Sequence, residues 1–420
     1  MADPQATIPS TAERPFDLVL FGATGFTGRL LAQHLATSDL PLRWALCGRS
    51  ADKLRAVRQA LTDRNPACAE LPILTADASD PQALAEVAQK TRVICTTVGP
   101  YLRYGLPVVA ACAAHGTDYC DLTGEVPFMR ASIDGHSAQA QQTGARILHA
   151  CGFDSIPSDL GVLALHDYLR ARGQTLREAH MLVKAMKGKA SGGTLASMLN
   201  LMEQAVADRS LRRLLANPYA LVPDSTASPR SQPDLRRVTY DREAREWTAP
   251  FLMSTVNTRV VHRTNALLGY PYGREFRYSE CMGFGDSLRG ATRATMLFAG
   301  LAGFAALSSS ATTRQLLSRY LPKPGEGPSP EAMQHGYWRV QLRGFVDGDS
   351  RARALLKLRG EGDPGYGSTS RMLFEVARML VETHGPKRAG GVHTPGSALG
   401  MPLVSRLARA GLHFEFSDLS

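Results

Sequence analysis

The sequence predicts two folded domains: an α/β domain with a doubly wound parallel sheet, and a second α+β domain that contains a mixed or antiparallel sheet. The length of 420 residues fits two domains of ordinary size. From Phe16 to about Leu165, short apolar runs alternate with helix-like stretches, which is typical of a parallel sheet with helices on both faces. Beyond Asp159 this regular alternation stops, so a different architecture begins there.

Alternating strands and helices make up the first domain, which is predicted to span residues 16–157 after a flexible N-terminus at 1–15. The apolar runs predict strands at Asp17–Phe21, Arg43–Cys47, Ile73–Ala76, Arg92–Thr97, Tyr119–Leu122 and Arg146–His149. The stretches between them predict helices at Arg29–Thr37, Lys53–Arg64, Pro81–Gln89, Pro107–His115 and Pro127–Thr143.

The second domain is predicted to span residues 158–369, and a C-terminal segment at 370–420 is expected to return to the first domain. The second domain's elements are a helix at Ser158–Arg172, a strand at Glu178–Met186, a helix that opens at 191–194, a polar stretch at 217–234, and strands at Phe276–Cys281, Tyr337–Phe345 and Arg351–Arg359. The short segment Val346–Ser350 predicts that the last two strands form an antiparallel hairpin. The C-terminal segment has a helix at Ser370–Thr383, a turn at Gly390–Pro395 and a short basic helix at Val404–Ala410.

A glycine-rich turn lies between the first predicted strand and the first predicted helix. It consists of Gly22, Ala23, Thr24, Gly25, Phe26, Thr27 and Gly28. Glycines at such positions let backbone N–H groups approach a pyrophosphate, and the helix N-terminus favours the negative charge. The spacing departs from G-x-G-x-x-G, but the location at the first βα junction predicts a Rossmann-type dinucleotide site. The alternative is a turn that serves the fold alone.

The end of the second predicted strand indicates which dinucleotide is bound. NAD enzymes place a carboxylate about 20 residues beyond the glycines to hold the ribose hydroxyls, whereas NADP enzymes place an arginine there for the 2′-phosphate. Here the residue is Arg49, followed by Ser50 and Lys53. The sequence therefore predicts NADP as the cofactor. The alternative is that Arg49 is an exposed residue at a helix start and that NAD binds without the usual carboxylate.

Two further strand ends are predicted to contact the cofactor. Asp77 lies where such folds contact adenine, unless it caps the helix that begins at Pro81. The fourth strand ends in Thr97, Val98, Gly99, Pro100 and Tyr101. Ligands of open α/β sheets bind beyond the carboxyl ends of the strands, so Gly99 would let the backbone approach the nicotinamide ribose. The Tyr101 hydroxyl either faces the reacting carbon or packs against the fold.

Candidate catalytic residues follow the later strands. They are Tyr101, Asp121, Cys151 and Asp154, with Glu125 near them in sequence. Carboxylates gathered in a cleft suit proton transfer or the binding of a cationic group. The alternative roles are structural: Asp154 and Ser155 cap the next helix, and Cys151 is simply small. The seven cysteines contain no C-x-x-C pair, which argues against a zinc ribbon or a disulfide framework, and we expect no metal.

Several segments, in this order, resemble the saccharopine dehydrogenase-like oxidoreductases. They are FGATGFTG, CGRS, TTVGPY, GTDYCDLTGE and CGFDSIPSDLG. With NTRVVHRTNALLGYPYG at 257–273, GDPGYGSTS at 362–370 and GGVHTPGSALG at 390–400, they are similar in particular to the branch that includes mycobacterial trans-acting enoyl reductases. The resemblance covers nearly the whole chain. It implies NADPH contacts at Gly22–Gly28, Arg49, Ser50 and Thr97–Tyr101.

The resemblance implies an NADP-dependent oxidoreductase that reduces an enoyl C=C bond in a lipid or polyketide intermediate. The expected chemistry is hydride delivery to the β-carbon, while Tyr101, another acid or water supplies a proton to the α-carbon. Two alternatives remain open. One is C–N oxidoreduction of an amino-acid adduct, as in saccharopine formation, and the other is a non-catalytic NADP-binding scaffold or sensor at a membrane.

Positive charge is concentrated in the second domain. The chain carries +10, and the segment Arg170–Arg277 holds 18 basic and 9 acidic residues. The basic residues are not interleaved with aromatic residues that stack bases, so nucleic acid is not an expected partner. An acyl or lipid-like substrate, an acyl-carrier protein or synthase, and an anionic membrane are the partners that this charge favours.

The run Ala294–Leu307 is apolar but shorter than the ~20 residues that span a bilayer. It predicts either a buried helix or one that contacts lipid. No secretory signal precedes Phe16, so we expect a cytoplasmic protein, at the inner face of a membrane if it meets one. A homodimer is an expected state.

Overall fold

The computed structural model describes residues 14–188, 192–223, 232, 234–310, 312–315, 327–385 and 389–419. The predicted flexible N-terminus lies outside these residues except for Arg14 and Pro15, and so do Ser191 and part of the polar stretch at 217–234. The chain divides into two compact units. The first contains the chain up to Thr123 with Ala131–His149 and Leu373–His393, and the second contains Gly124–Arg130, Ala150–Met372 and Thr394–Ser420.

Strands and helices are numbered in chain order. The strands are β1 (Phe16–Phe21), β2 (Trp44–Gly48), β3 (Ile73–Thr75), β4 (Thr91–Thr96), β5 (Asp118–Cys120), β6 (Arg146–Leu148), β7 (Leu176–Lys187), β8 (Thr239–Asp241), β9 (Glu246–Pro250), β10 (Arg277–Gly283), β11 (Tyr337–Val346), β12 (Ala352–Glu361), β13 (Gly391–His393) and β14 (Leu412–Asp418). The helices are α1 (Phe26–Ala36), α2 (Ala51–Thr62), α3 (Pro81–Lys90), α4 (Tyr101–His115), α5 (Val126–Thr143), α6 (Ile156–Arg170), α7 (Gly192–Ala207), α8 (Arg209–Ala216), α9 (Ser254–Leu267), α10 (Leu288–Ser309), α11 (Pro330–Gln334), α12 (Thr369–Glu382) and α13 (Pro395–Arg409).

The first unit is built on a parallel sheet of seven strands in the order β13-β6-β5-β4-β1-β2-β3. The predicted Rossmann-type architecture is confirmed. Val19 of β1 lies opposite Ala45 of β2 on one side and Ile94 of β4 on the other. The strand order reverses between β1 and β4, and ligands of such sheets bind beyond the strand ends at this reversal. The segments that follow these two strands are thereby positioned to form a site.

The second unit is built on a mixed sheet of seven strands in the order β14-β12-β11-β7-β10-β9-β8. β7 and β10 pair in parallel, and the other neighbours pair antiparallel. The predicted hairpin is β11–β12, in which Leu342 lies opposite Leu356. α6 packs closely on this sheet because Gly161 has no side chain, and a Cβ there would lie 3.0 Å from Leu358 Cδ1. The predicted second domain with a mixed sheet is confirmed.

Two predicted helix starts and one predicted turn are corrected. α4 begins at Tyr101 rather than at Pro107, which lies inside the helix; proline there removes a single N–H donor. The predicted turn at Gly390–Pro395 contains β13, which extends the parallel sheet beside β6. The helix predicted at Val404–Ala410 starts at Pro395 and continues past a non-helical Gly400.

The predicted unit boundaries also differ from those observed. The first unit ends its second segment at His149 rather than at residue 157. Of the segment 370–420, Leu373–His393 joins the first unit, whereas Thr394–Ser420 belongs to the second, where β14 pairs with β12. The reason is that β13 extends the sheet of the first unit and β14 extends the sheet of the second.

The apolar run Ala294–Leu307 lies within α10, and the expectation of a buried helix is wrong. The span Leu288–Ser308 is long and apolar enough to cross a membrane by length and composition alone, and 11% of its most apolar part is buried. Met296 is 68% exposed and Leu288 is 84% exposed. The helix is longer than the run because its first turns, from Leu288, also include the polar residues Arg289 and Arg293. Its outward face is therefore an apolar surface.

Candidate functional site

The glycine-rich turn after β1 is a tight backbone loop. Gly22 has a φ of +90°, a left-handed conformation that suits glycine, and its carbonyl accepts hydrogen bonds from Gly25 N at 3.0 Å and Thr97 Oγ1 at 3.1 Å. A Cβ at Gly22 would lie 2.7 Å from Val98 Cγ2, and one at Gly28 would lie 2.2 Å from the Gly22 carbonyl oxygen. The turn after β1 and the segment after β4 thus pack against each other, and positions 22 and 28 accept glycine alone.

The N-terminus of α1 opens onto this turn. Its N-cap residue is Gly25, so no side chain caps the first N–H groups of the helix. Arg29 donates from its guanidinium to the Thr24 carbonyl at 2.6 Å, which adds positive charge to the first helical turn. An uncapped helix N-terminus beside a glycine turn is the arrangement that binds phosphate groups. These residues therefore fit the pyrophosphate of a dinucleotide, which Gly22–Gly28 would hold.

Arg49, Ser50 and Lys53 lie at the carboxyl end of β2. Ser50 is the N-cap residue of α2, and its Oγ accepts the Lys53 backbone N–H at 3.5 Å. Arg49 and Lys53 are exposed, so both side chains can reach a ligand in solvent. The position fits recognition of a 2′-phosphate, which arginine pairs with through two N–H groups. The individual contact stays a prediction.

Asp77 is exposed just beyond β3. Hydrogen bonds from the Ser79 hydroxyl at 2.6 Å and the Ser79 backbone N–H at 2.8 Å lower the pKa of Asp77, and the charge of Arg49 adds to this. The alternative that Asp77 caps α3 is wrong, because Asp80 is the N-cap residue and accepts two backbone N–H groups there. Asp77 therefore keeps its carboxylate beside Arg49, and its contact with adenine stays a prediction.

Thr97–Tyr101 links β4 to α4 and contains a cis peptide between Gly99 and Pro100. Tyr101 is the first residue of α4 and is buried. Its hydroxyl donates to the Thr96 carbonyl at 3.3 Å and accepts the Leu122 N–H at 3.3 Å. Since the backbone engages this hydroxyl on both sides, the geometry favours the packing role of Tyr101 over the role of proton donor.

Asp121 belongs to a buried polar chain at the carboxyl ends of β5 and β6. Its carboxylate accepts hydrogen bonds from Tyr119 Oη at 2.8 Å and the Thr123 N–H at 3.0 Å, and it contacts His149 Nδ1 at 2.7 Å. His149 Nε2 lies 2.8 Å from Ser132 Oγ. Each side chain of this Asp121–His149–Ser132 chain is at most 3% exposed. These hydrogen bonds hold the imidazole in one orientation, and the burial of Ser132 favours a structural role for this chain of side chains.

The remaining catalytic candidates lie in the second unit. Cys151 is fully buried, in agreement with the packing alternative. Glu125 is 3% exposed and accepts a hydrogen bond from Ser197 Oγ at 2.7 Å, and it belongs to a different unit from Asp121. Cys151 and Glu125 thus belong to the second unit and Asp121 to the first, and their predicted gathering around the cofactor stays a prediction.

Asp154 has the strongest properties of a proton donor among the candidates. Burial raises the pKa of its carboxyl to about 6, yet the residue is partly exposed. The capping alternative is not supported for its neighbour, because Ser155 is the N-cap residue of α6 without a side-chain cap, and its hydroxyl donates to Asn257 Oδ1 at 2.8 Å. A carboxyl whose pKa is raised toward neutral pH can act as a general acid.

A buried polar cluster in the second unit is hydrogen-bonded to Ser155, the residue after Asp154. Glu280 of β10 accepts hydrogen bonds at Oε1 from Ser158 Oγ at 2.8 Å and Asn257 Nδ2 at 3.1 Å. Burial raises the pKa of Glu280 to about 8, although these two hydrogen bonds oppose the shift. Asn257 also accepts from Ser155, so hydrogen bonds connect Glu280 to the residue next to Asp154.

Three of the segments noted in the sequence meet around Asp159. Its Oδ2 accepts the Gly396 N–H at 2.7 Å, and its Oδ1 accepts a short hydrogen bond from the Thr264 hydroxyl. The Thr264 hydroxyl in turn lies 2.5 Å from that of Thr394, and a Cβ at Gly396 would lie 2.8 Å from Asp159 Oδ1. The segments at 151–161, 257–273 and 390–400 are thus tied together by side chains that no short motif reveals.

Comparison with known proteins identifies the family. The model of the saccharopine dehydrogenase NADP binding domain matches residues 18–148. A protein of Mycobacterium tuberculosis named as a trans-acting enoyl reductase is 46% identical over 97% of this chain and 99% of its own. The chain belongs to the saccharopine dehydrogenase-like family, in the trans-acting enoyl reductase branch. Within this branch, the trans-acting enoyl reductase of Mycobacterium bovis is 42% identical over 98% of this chain and 100% of the relative.

Family membership confirms the predicted NADP cofactor and an NADP-dependent oxidoreductase. Among solved structures, the apo saccharopine dehydrogenase (L-Glu forming) of Saccharomyces cerevisiae has a TM-score of 0.55 at 11% identity and covers 96% of this chain and 100% of its own. This likeness confirms the two-unit fold class. At that identity it carries no information on the substrate.

Sequence reasoning missed His149, Ser132, Asn257 and Glu280. His149 was assigned to the sixth strand as its last residue, and a polar residue at the carboxyl end of a buried strand is the one signal that could have marked it. Ser132 lies mid-helix in α5 and gives no signal of its own. α9, which carries Asn257, was not predicted because its buried face is largely polar: Thr258, Arg259, His262, Arg263 and Thr264 are all buried.

Proposed function

We propose that this protein is an NADPH-dependent enoyl reductase that acts on a lipid or polyketide intermediate. The observation that carries the proposal is identity of 42–46% with trans-acting enoyl reductases over 97–98% of the chain. The geometry of the glycine turn, which fits a pyrophosphate, supports it. When bound, NADPH supplies the hydride. The chain's own residues bind the cofactor at Gly22–Gly28, hold its 2′-phosphate at Arg49, and offer at Asp154 a carboxyl whose pKa burial raises to about 6.

Steady oxidation of NADPH in the presence of an α,β-unsaturated acyl thioester tests the proposal. A Gly25→Asp variant should abolish turnover, because its carboxylate would repel the pyrophosphate at the α1 N-terminus. Gly135→Asp, the same substitution at an exposed position of α5 with nothing within 4 Å of an added Cβ, serves as the matched control. A ketone and a mixture of 2-oxo acid with amino acid are the competing substrates. Turnover of the imine mixture in place of the thioester would favour the C–N oxidoreductase alternative, and no turnover with any of them would favour a non-catalytic NADP-binding scaffold.

Asp154 is the residue that we propose as proton donor. Its raised pKa of about 6 keeps the carboxyl protonated in acidic solution, so the activity that depends on it should be complete below pH 6 and fall as the pH rises above 6. An Asp154→Asn variant should lose kcat and lose this descending limb. A variant that keeps the wild-type pH profile of kcat would assign the proton to water or to another acid.

A lipid substrate and contact with a membrane surface are supported by two features of the second unit. α10 exposes an apolar face, and the segment Arg170–Arg277 carries most of the net positive charge. An apolar helix beside basic residues favours an anionic bilayer or an acyl chain delivered by an acyl-carrier protein or synthase. Flotation with anionic vesicles tests the membrane contact: Met296→Glu, at an exposed position, should prevent flotation that the wild type shows.

A further inference from the structure

An apolar groove of about 440 Å³ lies in the second unit between α8, α10 and the segment that joins β9 to α9. Its volume falls within the range of roughly 300 to 1,000 Å³ that is typical of small-molecule sites. Apolar side chains form most of its wall: Leu215, Phe251, Leu252, Phe298, Leu301 and Ala302. The groove is thus a concave apolar surface that belongs wholly to the second unit, whereas the glycine turn belongs to the first.

One face of α10 forms a wall of this groove. Phe298, Leu301 and Ala302 line it, and residues at i, i+3 and i+4 share a helix face. Met296, at 68% exposure, and Ala299 point elsewhere on the same helix and do not line it. A contiguous apolar surface of this kind on a protein marks a binding site. The helix therefore offers a groove face and an outward face that substitutions can address separately.

The groove carries positive charge at its wall. Arg212 and Arg236 line it, and the carboxylate that lines it, Asp234, is paired with Arg259 at 2.7 Å. The guanidinium of Arg212 donates to the carbonyls of α7 at 2.7 and 3.0 Å, which fixes its position. A trough of apolar side chains with two arginines fits a flexible apolar chain that ends in an anionic group. A flat bilayer would cover the outward face of α10 but would not fill a concave trough.

We propose that this groove binds the acyl chain of an anionic, lipid-like ligand, with the chain against Phe298, Leu301 and Ala302 and the negative end near Arg212 or Arg236. The proposal rests on the proposed function in taking the ligand to be the substrate's acyl portion. Binding of a ligand in this groove can be measured without any turnover. The expected ligand class is a long-chain fatty acid or an acyl thioester that carries negative charge.

Titration of the full-length protein with the fluorescent fatty acid cis-parinaric acid tests the site. Ala302→Trp fills the groove and should weaken binding at least tenfold, whereas Ala299→Trp, on the same helix outside the groove, should bind like the wild type. Unchanged melting temperature and NADPH binding in both variants show that each is folded. Equal affinities of the two variants, or no binding by the wild type, would overturn the proposal.

The charge requirement has its own measurement. The wild type should bind cis-parinaric acid several-fold more tightly than its methyl ester, and Arg236→Gln together with Arg212→Gln should remove that preference without weakening the ester. A wild type that binds the acid and the ester equally would contradict the role of the arginines.

Failure of the groove and failure of the proposed reductase give different results. If the groove holds the substrate's chain, Ala302→Trp raises KM for a long-chain enoyl thioester and leaves kcat/KM for a short-chain one unchanged. No turnover by the wild type, together with parinaric acid binding that Ala302→Trp abolishes, would overturn the reductase and keep the groove. Flotation with anionic vesicles that Met296→Glu prevents, together with parinaric acid binding that Ala302→Trp leaves intact, would assign the helix to a bilayer and overturn the groove.

Discussion

The glycine turn of the first unit and the polar cluster of the second are built in different ways. In the first, the site is made of backbone: Gly22 and Gly28 leave no space for a Cβ, and the open N-terminus of α1 supplies N–H donors. In the second, long-range side-chain pairs such as Glu280 with Ser158 and Asp159 with Thr264 join segments more than one hundred residues apart. Backbone sites demand particular residues at fixed spacing, whereas side-chain networks tolerate many sequences. This difference explains why the glycine turn could be predicted from the sequence and the polar cluster of the second unit could not.

The largest expected effect tests whether glycine is required in the first unit. Gly28→Ala places a Cβ 2.2 Å from the Gly22 carbonyl oxygen and should cost about 3 kcal/mol of unfolding free energy, since the backbone cannot yield as a flexible side chain can. NADPH binding should be lost with it. Gly25→Ala is the matched control, because its Cβ would lie 3.4 Å from the same oxygen. Chemical unfolding and NADPH titration measure both, and equal stabilities would break the comparison.

The next effect concerns the buried Asp121–His149–Ser132 chain of the first unit. Asp121→Asn presents an amide to three donors, from Tyr119, Thr123 and His149, and should cost about 3 kcal/mol of unfolding free energy. Ser132→Ala, at the far end of the chain, removes one hydrogen bond and should cost about 1 kcal/mol. Urea unfolding measures both. Similar costs would mean that His149 is held by packing and not by Asp121.

The third effect is a pH dependence that belongs to the second unit. Burial raises the pKa of Glu280 to about 8 in the folded protein. Between the ordinary carboxyl pKa and this value the folded protein binds the proton and the unfolded chain does not, so the free energy of unfolding falls as the pH rises through this range. Between pH 5 and 8 the free energy of unfolding of the wild type should fall by on the order of 2 kcal/mol more than that of Glu280→Gln.

Glu178→Gln is the control for this pH dependence. Burial raises the pKa of Glu178, but hydrogen bonds from His180 and Arg277 outweigh it and lower the pKa below its ordinary value. Its contribution to stability is therefore complete above the ordinary carboxyl pKa and is lost in acid. Glu178→Gln should follow the wild-type slope between pH 5 and 8, and a parallel slope for Glu280→Gln as well would show that Glu280 does not titrate there.

The smallest expected effect returns to the first unit. Arg49→Asp should shift the preference from NADPH toward NADH by tenfold or more, about 1.4 kcal/mol, since a carboxylate repels a 2′-phosphate and accepts from ribose hydroxyls. Arg55→Asp makes the same charge change at an exposed position of α2 and should leave the preference unchanged. Dissociation constants for both cofactors decide the matter, and an unchanged preference in Arg49→Asp would remove Arg49 from the site.

Much of the first unit could be predicted, and the misses have physical causes. Each predicted strand there begins within one residue of the observed one, because strands buried on both faces are nearly continuous apolar runs. β13 was missed because its three residues, Gly391–His393, lie among turn-forming residues, and only pairing with β6 makes them a strand. In the second unit α9 was missed because polar side chains replace the apolar stripe that marks a helix.

The sequence alone determined the Rossmann-type unit, its glycine turn and the family, because backbone geometry at a dinucleotide site limits the residues that fit. Tertiary structure decided what the side chains do. It showed that the backbone engages the Tyr101 hydroxyl, that His149 joins Asp121 to Ser132, and that α10 is exposed rather than buried. These outcomes depend on which distant segments the fold brings together, and an apolar run reads the same in sequence whether the fold covers it or leaves it open.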